Sequence, residues 1–120
     1  NVVNLQEKFD SFTETWVPRV VGSLNGQYVK VAKLQGEYVW HAHEHEDEMF
    51  LVMQGELDIE FRDRTQTLHP GEFCIVPHGV EHRPVARDLV SIVLFEPHSV
   101  LNTGGASGRP TIEPDDLEHI

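Results

Sequence analysis

The chain has 120 residues, a length that fits one domain with a single hydrophobic core. Nine Lys and Arg against 20 Asp and Glu give a formal net charge of −11, which argues against a nucleic-acid partner and against an anionic membrane surface. No apolar run approaches the roughly 20 residues that a membrane helix needs. Residues 1–8 contain no apolar signal-peptide core, so a cytoplasmic protein is expected.

The first predicted element is a short helix that begins after Asn4. The asparagine side chain can cap the helix, and Glu7 follows three residues later as in a capping box. The helix is expected to be brief, because residues 13–17 favour extended chain and Pro18 follows them. Residues 1–22 are therefore predicted to form an N-terminal helix and a strand arm.

Short extended segments separated by glycine and proline fill the middle of the chain. No helical period occurs between them. The predicted strands are 27–34, 37–45, 48–54, 57–61, 65–68, 73–76 and 89–95. Strands at this spacing predict an all-β, antiparallel sandwich or barrel over residues 23–98.

Residues 99–120 differ in composition from the strands before them. They contain glycine, proline and acidic residues at Gly104, Gly105, Gly108, Pro110, Glu113, Pro114, Asp115, Asp116 and Glu118. This segment is predicted to be an extended tail, at most partly ordered against the barrel, because its low apolar content cannot hold it there strongly.

The single cysteine, Cys74, excludes an internal disulfide and every multi-cysteine zinc motif. It lies in a short apolar run, so we interpret it as a buried structural thiol, with a reactive thiol as the alternative.

Histidine is unusually frequent, with eight residues in 120. In a strand, side chains alternate between faces, so His41, His43 and His45 would project to the same side. Glu48 lies at the start of the next predicted strand, where its carboxylate can fold back toward them, and His82 follows a Pro-x-Gly turn. Imidazoles and a carboxylate suit a divalent first-row metal such as iron, manganese, nickel, copper or zinc better than magnesium or calcium.

Two stretches of this sequence resemble the two motifs of the cupin family. The first runs from Gly36 to Gly55 and contains His-x-His, four residues, glutamate, six residues and glycine. The second runs from Gly71 to Val85 and contains glycine, five residues, Pro-x-Gly, two residues and the histidine His82. The 15 residues between the two motifs resemble the spacing of small single-domain bacterial cupins.

Two positions depart slightly from the family pattern. Four residues separate Gly36 from His41 where the motif has five, and Ala86 stands where an asparagine is often found. The segment 96–104 also looks like the ending of a group of uncharacterised cupins, some of which are labelled mannose-6-phosphate isomerase-like.

The resemblance implies an antiparallel jelly-roll β-barrel with one divalent transition metal ion inside. Carried over by motif position, the implied ligands are His41, His43, Glu48 and His82. His45 is an alternative partner of His43, but the family spacing to Glu48 favours His41. We therefore expect His45 at the mouth of the site or in solvent.

Two classes of function fit such a site. The first is a metal-dependent enzyme that acts on a small organic molecule, either dioxygenase-like or isomerase- or decarboxylase-like, since three His and one Glu leave two positions of an octahedral ion open. The second is a non-catalytic metal- or sugar-binding module that serves as a sensor or a store. The sequence identifies no catalytic residue beyond the ligands.

The third predicted strand has apolar side chains on both faces. One face carries Phe50 and Val52, and the other carries Met49, Leu51 and Met53. One face fills the barrel, so the other needs cover from the N-terminal segment or from a second subunit. Because cupins commonly pair in this way, a homodimer is expected.

Overall fold

The computed structural model describes residues 2–120, so Asn1, the first residue of the predicted segment 1–22, lies outside the described part. Within that part, one short helix, seven strands and one 3₁₀ turn follow each other along the chain. Their bounds are α1 Leu5–Asp10, β1 Arg19–Leu24, β2 Gln27–Glu37, β3 Glu48–Gln54, β4 Leu57–Phe61, β5 Thr65–Leu68, β6 Phe73–Val76, β7 His82–Pro97 and the 3₁₀ turn Pro114–Asp116. None of the helices described is both long enough and apolar enough to span a membrane.

Every pairing between the named strands is antiparallel. The strand order is β1-β2-β7-β3-β6, and β4 pairs with both β5 and β7. Strand β7 links the two halves, because residues 82–85 pair with β4 whereas residues 91–95 lie between β2 and β3. The fold is thus an all-β, antiparallel jelly-roll barrel, which confirms the predicted fold class.

Helix α1 begins as the capping pattern predicts. The Oδ1 atom of Asn4 accepts a hydrogen bond from the Glu7 N–H at 3.0 Å, which satisfies one of the free donors of the first turn. Phe9 is buried and packs with Phe12 and Val93 in a second, smaller core on the outer side of the sheet. The N-terminal segment therefore covers part of the outer sheet face.

The main core fills the interior of the barrel. Its buried side chains are Trp16, Ala32, Leu34, Tyr38, Phe50, Val52, Leu57, Ile59, Phe61, Leu68, Val76, Ala86, Val90, Ile92 and Leu94. On β2 and β7 these are the even-numbered residues, as the alternation of a strand requires. Lys30 and Glu96 have the same parity, and both are buried inside the barrel.

Two of the predicted strands are wrong in extent. The segment 37–45 is not a strand beyond Glu37, because the chain leaves β2 there and only His41 makes an isolated bridge, to His82. The sequence pattern predicts a last strand that begins at residue 89, yet β7 begins at His82. Its first half contains Pro84 and the charged pair Arg87 and Asp88, which obscure the strand pattern in the sequence.

The C-terminal tail packs more closely than its composition predicts. Val100, Thr103 and Leu117 are buried, and the Oδ1 atom of Asn102 accepts a hydrogen bond from the Ile112 N–H at 2.8 Å. Hydrogen bonds therefore help the few apolar contacts to hold the tail in place, and a prediction from apolar content alone does not include these hydrogen bonds. The division into 1–22, 23–98 and 99–120 stays a prediction.

Candidate metal centre

Four buried polar side chains meet inside the barrel, and they are the four that the motifs imply: His41, His43, Glu48 and His82. One ligand atom from each lies within 4.8 Å of the corresponding atom of every other. Each residue is at most 5% exposed. Such a cluster is the size and composition of a site that could hold one metal ion.

Backbone hydrogen bonds bring the four residues together. Glu48 is the first residue of β3 and His82 the first of β7. The His41 N–H donates to the His82 carbonyl at 3.1 Å, and the His82 N–H donates back to the His41 carbonyl at 2.9 Å. The carbonyl of His43 accepts from the Gly79 N–H at 2.7 Å. The loop between β2 and β3 is thereby fixed to the start of β7.

Two of the imidazole rings are oriented by backbone carbonyls. The Nδ1 atom of His41 lies 2.9 Å from the Val39 carbonyl oxygen, and that of His82 lies 2.9 Å from the Val80 carbonyl oxygen. A carbonyl only accepts, so Nδ1 carries the proton and, in a neutral ring, Nε2 keeps a free lone pair. Contacts of this kind typically orient metal-binding histidines.

The polar atoms at the centre of the cluster lack enough donors. His43 Nε2 is buried and has no hydrogen-bond partner among the described residues. Glu48 Oε1 lies 3.4 Å from Nε2 of both His43 and His82. With Nδ1 of His82 protonated, two acceptors face each other there, an arrangement that needs a proton or a cation between them. The donor set therefore fits a metal ion.

The charge states also suit metal binding. Burial, assisted by the neighbouring His82, lowers the pKa of His41 to about 4, so this ring is neutral near pH 7. Burial alone would raise the pKa of Glu48. Contacts with Glu96, His43 and His82 outweigh that effect and hold the pKa well below its usual range, so Glu48 is a carboxylate.

A buried ion pair adjoins the cluster. Lys30 Nζ lies 2.7 Å from Glu96 Oε1, and each side chain is 2% exposed. The other oxygen, Glu96 Oε2, has no hydrogen-bond partner within residues 2–120. Burial and the nearby Glu48 carboxylate raise the pKa of Glu96 well above its usual range.

The sequence motifs do not include this pair, although strand parity carries a signal for it. Lys30 has the inward parity of Ala32 on β2, and Glu96 has that of Leu94 on β7. The register in which β2 pairs with β7 brings the two side chains together, and this register cannot be read from the sequence.

A cavity of about 40 Å³ opens beside the cluster, and His41 and Glu48 form part of its wall. Trp16 stacks on Tyr38 in this wall, with ring centroids 4.7 Å apart. The Tyr38 hydroxyl accepts a hydrogen bond from Asn102 Nδ2 at 3.0 Å. Burial raises the pKa of Tyr38 to about 12, so it is a neutral phenol near pH 7.

His45 and Cys74 lie outside the cluster. The His45 side chain is 81% exposed, whereas that of His43 is 3% exposed, because the loop does not keep strand alternation up to His45. Cys74 is half-buried, and burial raises its pKa to about 11. A thiol that stays protonated fits a structural role better than a reactive one.

Comparisons with known proteins agree on the barrel region. The family model described as the cupin domain matches residues 27–95. Among solved structures, a cupin-2 domain containing protein from Shewanella frigidimarina is 45% identical with a TM-score of 0.79, over 80% of this chain and 94% of that chain. Protein NMB1881 from Neisseria meningitidis is 31% identical with a TM-score of 0.75, over 81% and 99%.

A curated relative, the protein YdbB of Bacillus subtilis (strain 168), is 39% identical over 64 residues. That match spans 52% of this chain and 57% of the length of YdbB. All four cluster residues lie inside the region 27–95 that the family model matches, whereas Trp16 and Asn102 lie outside it.

Proposed function

The chain belongs to the cupin family, and on that premise we propose that it holds one divalent transition metal ion and uses it as an enzyme on a small organic molecule. The proposed ligands are His41, His43, Glu48 and His82. One observation carries the proposal: the buried Nε2 atom of His43 has no hydrogen-bond partner in the described part of the chain and lies among three further ligand atoms.

Iron, manganese, nickel, copper or zinc suits this donor set of three imidazoles and one carboxylate. A polar cluster without an ion is the competing explanation. It would leave buried acceptors without donors, at a cost of about 1–3 kcal/mol for each unsatisfied group. Without a metal ion, the folded protein would therefore be less stable by this amount, whereas a bound ion would satisfy the same acceptors.

When bound, the ion would supply Lewis acidity or redox chemistry to a coordinated small molecule. The residues of the chain set the charge around it. Glu48 contributes one negative charge, so a dication in this site gives a net charge of +1. Because the pKa of Glu96 is raised, the adjacent Lys30–Glu96 pair adds no negative charge. This balance favours a ligand that is anionic or becomes anionic during the reaction.

Among the reactions of such sites, we favour oxidation by dioxygen over isomerisation or decarboxylation. A histidine-rich donor set with two open positions suits a redox-active metal, and most of the residues that line the adjacent cavity are apolar. The alternative is a non-catalytic metal- or sugar-binding module.

Elemental analysis of anaerobically purified protein, followed by oxygen-uptake assays with catechols, diketones, thiols and short-chain organic acids, tests the proposal. We expect about one transition metal ion per chain and oxygen uptake with one of these classes. His43→Ala should abolish uptake, and His45→Ala, which changes an exposed residue, should preserve it. Tightly held zinc or nickel without turnover of any compound would favour the binding module instead.

A homodimer is also part of this proposal. Phe73 and Ile75 on β6 are 58% and 57% exposed, and the strand register places them beside Leu51 and Met49. These four side chains share the outer face of the sheet, next to the part that helix α1 covers. A second copy of the chain would bury them.

The cytoplasmic location stays a prediction.

A further inference from the structure

The cavity beside the cluster offers very few free polar groups to a ligand. Asn102 is in its wall, but its amide group donates to the Tyr38 hydroxyl and to the Pro110 carbonyl, both at 3.0 Å. The Oδ1 atom of Asn102 accepts from the Ile112 N–H. Among the side chains of the described residues in this wall, apart from the cluster and Glu96, only the Tyr38 hydroxyl has a hydrogen left to donate.

The wall of the cavity, as far as the described residues form it, also contains no lysine or arginine. The guanidinium of Arg109 lies 5.0 Å from the Trp16 ring and donates to the Glu37 carbonyl at 2.8 Å. A phosphate group in the part of the cavity beyond the metal site would therefore have no cationic side chain as a partner. Aliphatic and aromatic side chains, such as Leu34 and Ile92, form most of the remaining surface.

The Trp16 ring limits the cavity and is held firmly. Its Nε1–H donates to the Gln35 carbonyl at 2.8 Å, and its backbone N–H donates to the Lys33 carbonyl at 2.8 Å. Its φ of +64° lies in the left-handed region, which a bulky residue adopts only where the surroundings enforce it. With the ring fixed against Tyr38, the cavity of about 40 Å³ has room for about three or four water-sized groups.

We infer that this cavity binds a short-chain organic acid with an apolar body, rather than a sugar or a phosphate ester, and that Trp16 sets the limit on chain length. The inference rests on the proposed metal site, which would take the carboxylate end. A sugar would bury several hydroxyls without partners, and each one would weaken binding by roughly 5- to 150-fold. Trp16 lies outside residues 27–95, the region that the family model matches, so the limit is argued from this chain's own contacts.

Calorimetric titration of zinc-loaded protein with straight-chain acids from acetate to octanoate, and with mannose and mannose 6-phosphate, tests the inference. Metal content is measured first on the same sample. We expect the tightest binding among acids of two to four carbons, at least a tenfold loss by octanoate, and no binding of either sugar. The tenfold loss corresponds to about 1.4 kcal/mol.

Trp16→Ala should enlarge the cavity and improve octanoate binding about tenfold. Trp16→Phe is the milder change and serves if the alanine variant fails to fold. It should shift the dependence of affinity on chain length in the same direction. The matched control is Trp40→Ala. The guanidinium carbon of Arg62 lies 3.9 Å from the centroid of the Trp40 ring, and Trp40 is not part of the cavity wall. This control should keep the wild-type profile.

Two failures are distinguishable. Absence of metal uptake overturns the proposed function and, with it, the inference. Normal metal uptake combined with sugar binding, or with a length profile that neither Trp16 variant changes, overturns the inference alone.

Discussion

Gly104 in the tail lies directly against the backbone carbonyl of Ala42, so close that a Cβ atom added to Gly104 would be 2.2 Å from the carbonyl oxygen. Ala42 separates His41 from His43, two of the proposed ligands. Gly104 has a φ of +59°, which glycine adopts without strain. The tail therefore supports the backbone segment that carries half of the cluster.

Gly104→Ala is expected to weaken metal binding by about 10- to 100-fold, the range seen when contacts that orient metal ligands are removed. The added methyl group cannot fit unless the Ala42 carbonyl moves, and the neighbouring imidazoles move with it. Competition with a chelator measures the effect. Gly105→Ala is the control, because Gly105 also has a positive φ of +85° but nothing within 4 Å of an added Cβ. Equal losses in both variants would place the cause in backbone strain.

The stability of the metal-free protein should fall as the pH decreases from 6.5 to about 4. In this window the unfolded chain protonates His41, whereas burial keeps the folded ring neutral because its pKa is about 4. The unfolded state then binds more protons, so stability decreases with falling pH, by at most about 3 kcal/mol from this group.

Urea denaturation of chelator-treated protein at several pH values measures this dependence. His41→Gln should remove it between pH 6.5 and 4, because glutamine does not titrate. The loss of stability that is linked to protonation of Glu48 occurs at lower pH, below the ordinary carboxyl pKa of 4.5. A His41→Gln variant with the same slope as wild type in this window would show that another group causes the dependence.

Loss of Glu96 is expected to destabilise the protein more than loss of Lys30. Glu96→Leu leaves the buried Lys30 ammonium without a carboxylate partner, at a cost of about 3–5 kcal/mol. Lys30→Met should cost less, since the pKa of Glu96 is already raised and the carboxyl can take up a proton. Urea denaturation at pH 7 gives the order, and the double variant should be more stable than Glu96→Leu alone. The reverse order would argue against a protonatable Glu96.

Sequence spacing predicts the membership of the cluster because the two motifs fix which residues meet. Strand alternation alone leaves His45 in competition with His41, and it says nothing of His82. The bridge between His41 and His82 joins residues 41 positions apart, a contact that local periodicity does not contain. The resemblance to a family supplies that contact, and the structure places all four side chains together.

The surroundings of the cluster are harder to predict. Trp16 enters the barrel from the segment before β1, and Asn102 enters from the tail, so neither belongs to a strand pattern. Tail packing depends on hydrogen bonds and on the close approach of Gly104, which composition does not reveal. Long-range contacts of this kind depend on register and on loop paths.

A homodimer should have a mass near twice 13.7 kDa by light scattering. Phe73→Glu would place a charge in the exposed apolar face of β6 and β3, and it should yield a folded monomer. Leu24→Glu, at another exposed apolar residue on β1, should remain dimeric. A wild-type monomer at micromolar concentration would contradict the dimer.

Chelation should lower the melting temperature of the wild-type protein, because an ion that binds only the folded state stabilises it. The effect is about 2.7 kcal/mol when the free ion is at a hundred times its Kd. His82→Ala should show almost no change on chelation, since a site that has lost one of four ligands holds little metal. A melting temperature that responds equally in both proteins would place the ion elsewhere.

The metal content of single-histidine variants tests the central claim most directly. Elemental analysis of wild type, His41→Ala, His43→Ala and His45→Ala, purified side by side, should find about one divalent transition metal ion per chain in wild type and in His45→Ala. His41→Ala and His43→Ala should contain almost none. If instead His45→Ala empties the site and His41→Ala keeps it filled, the ligands are His43 and His45, and the assignment of His41 as a ligand is wrong.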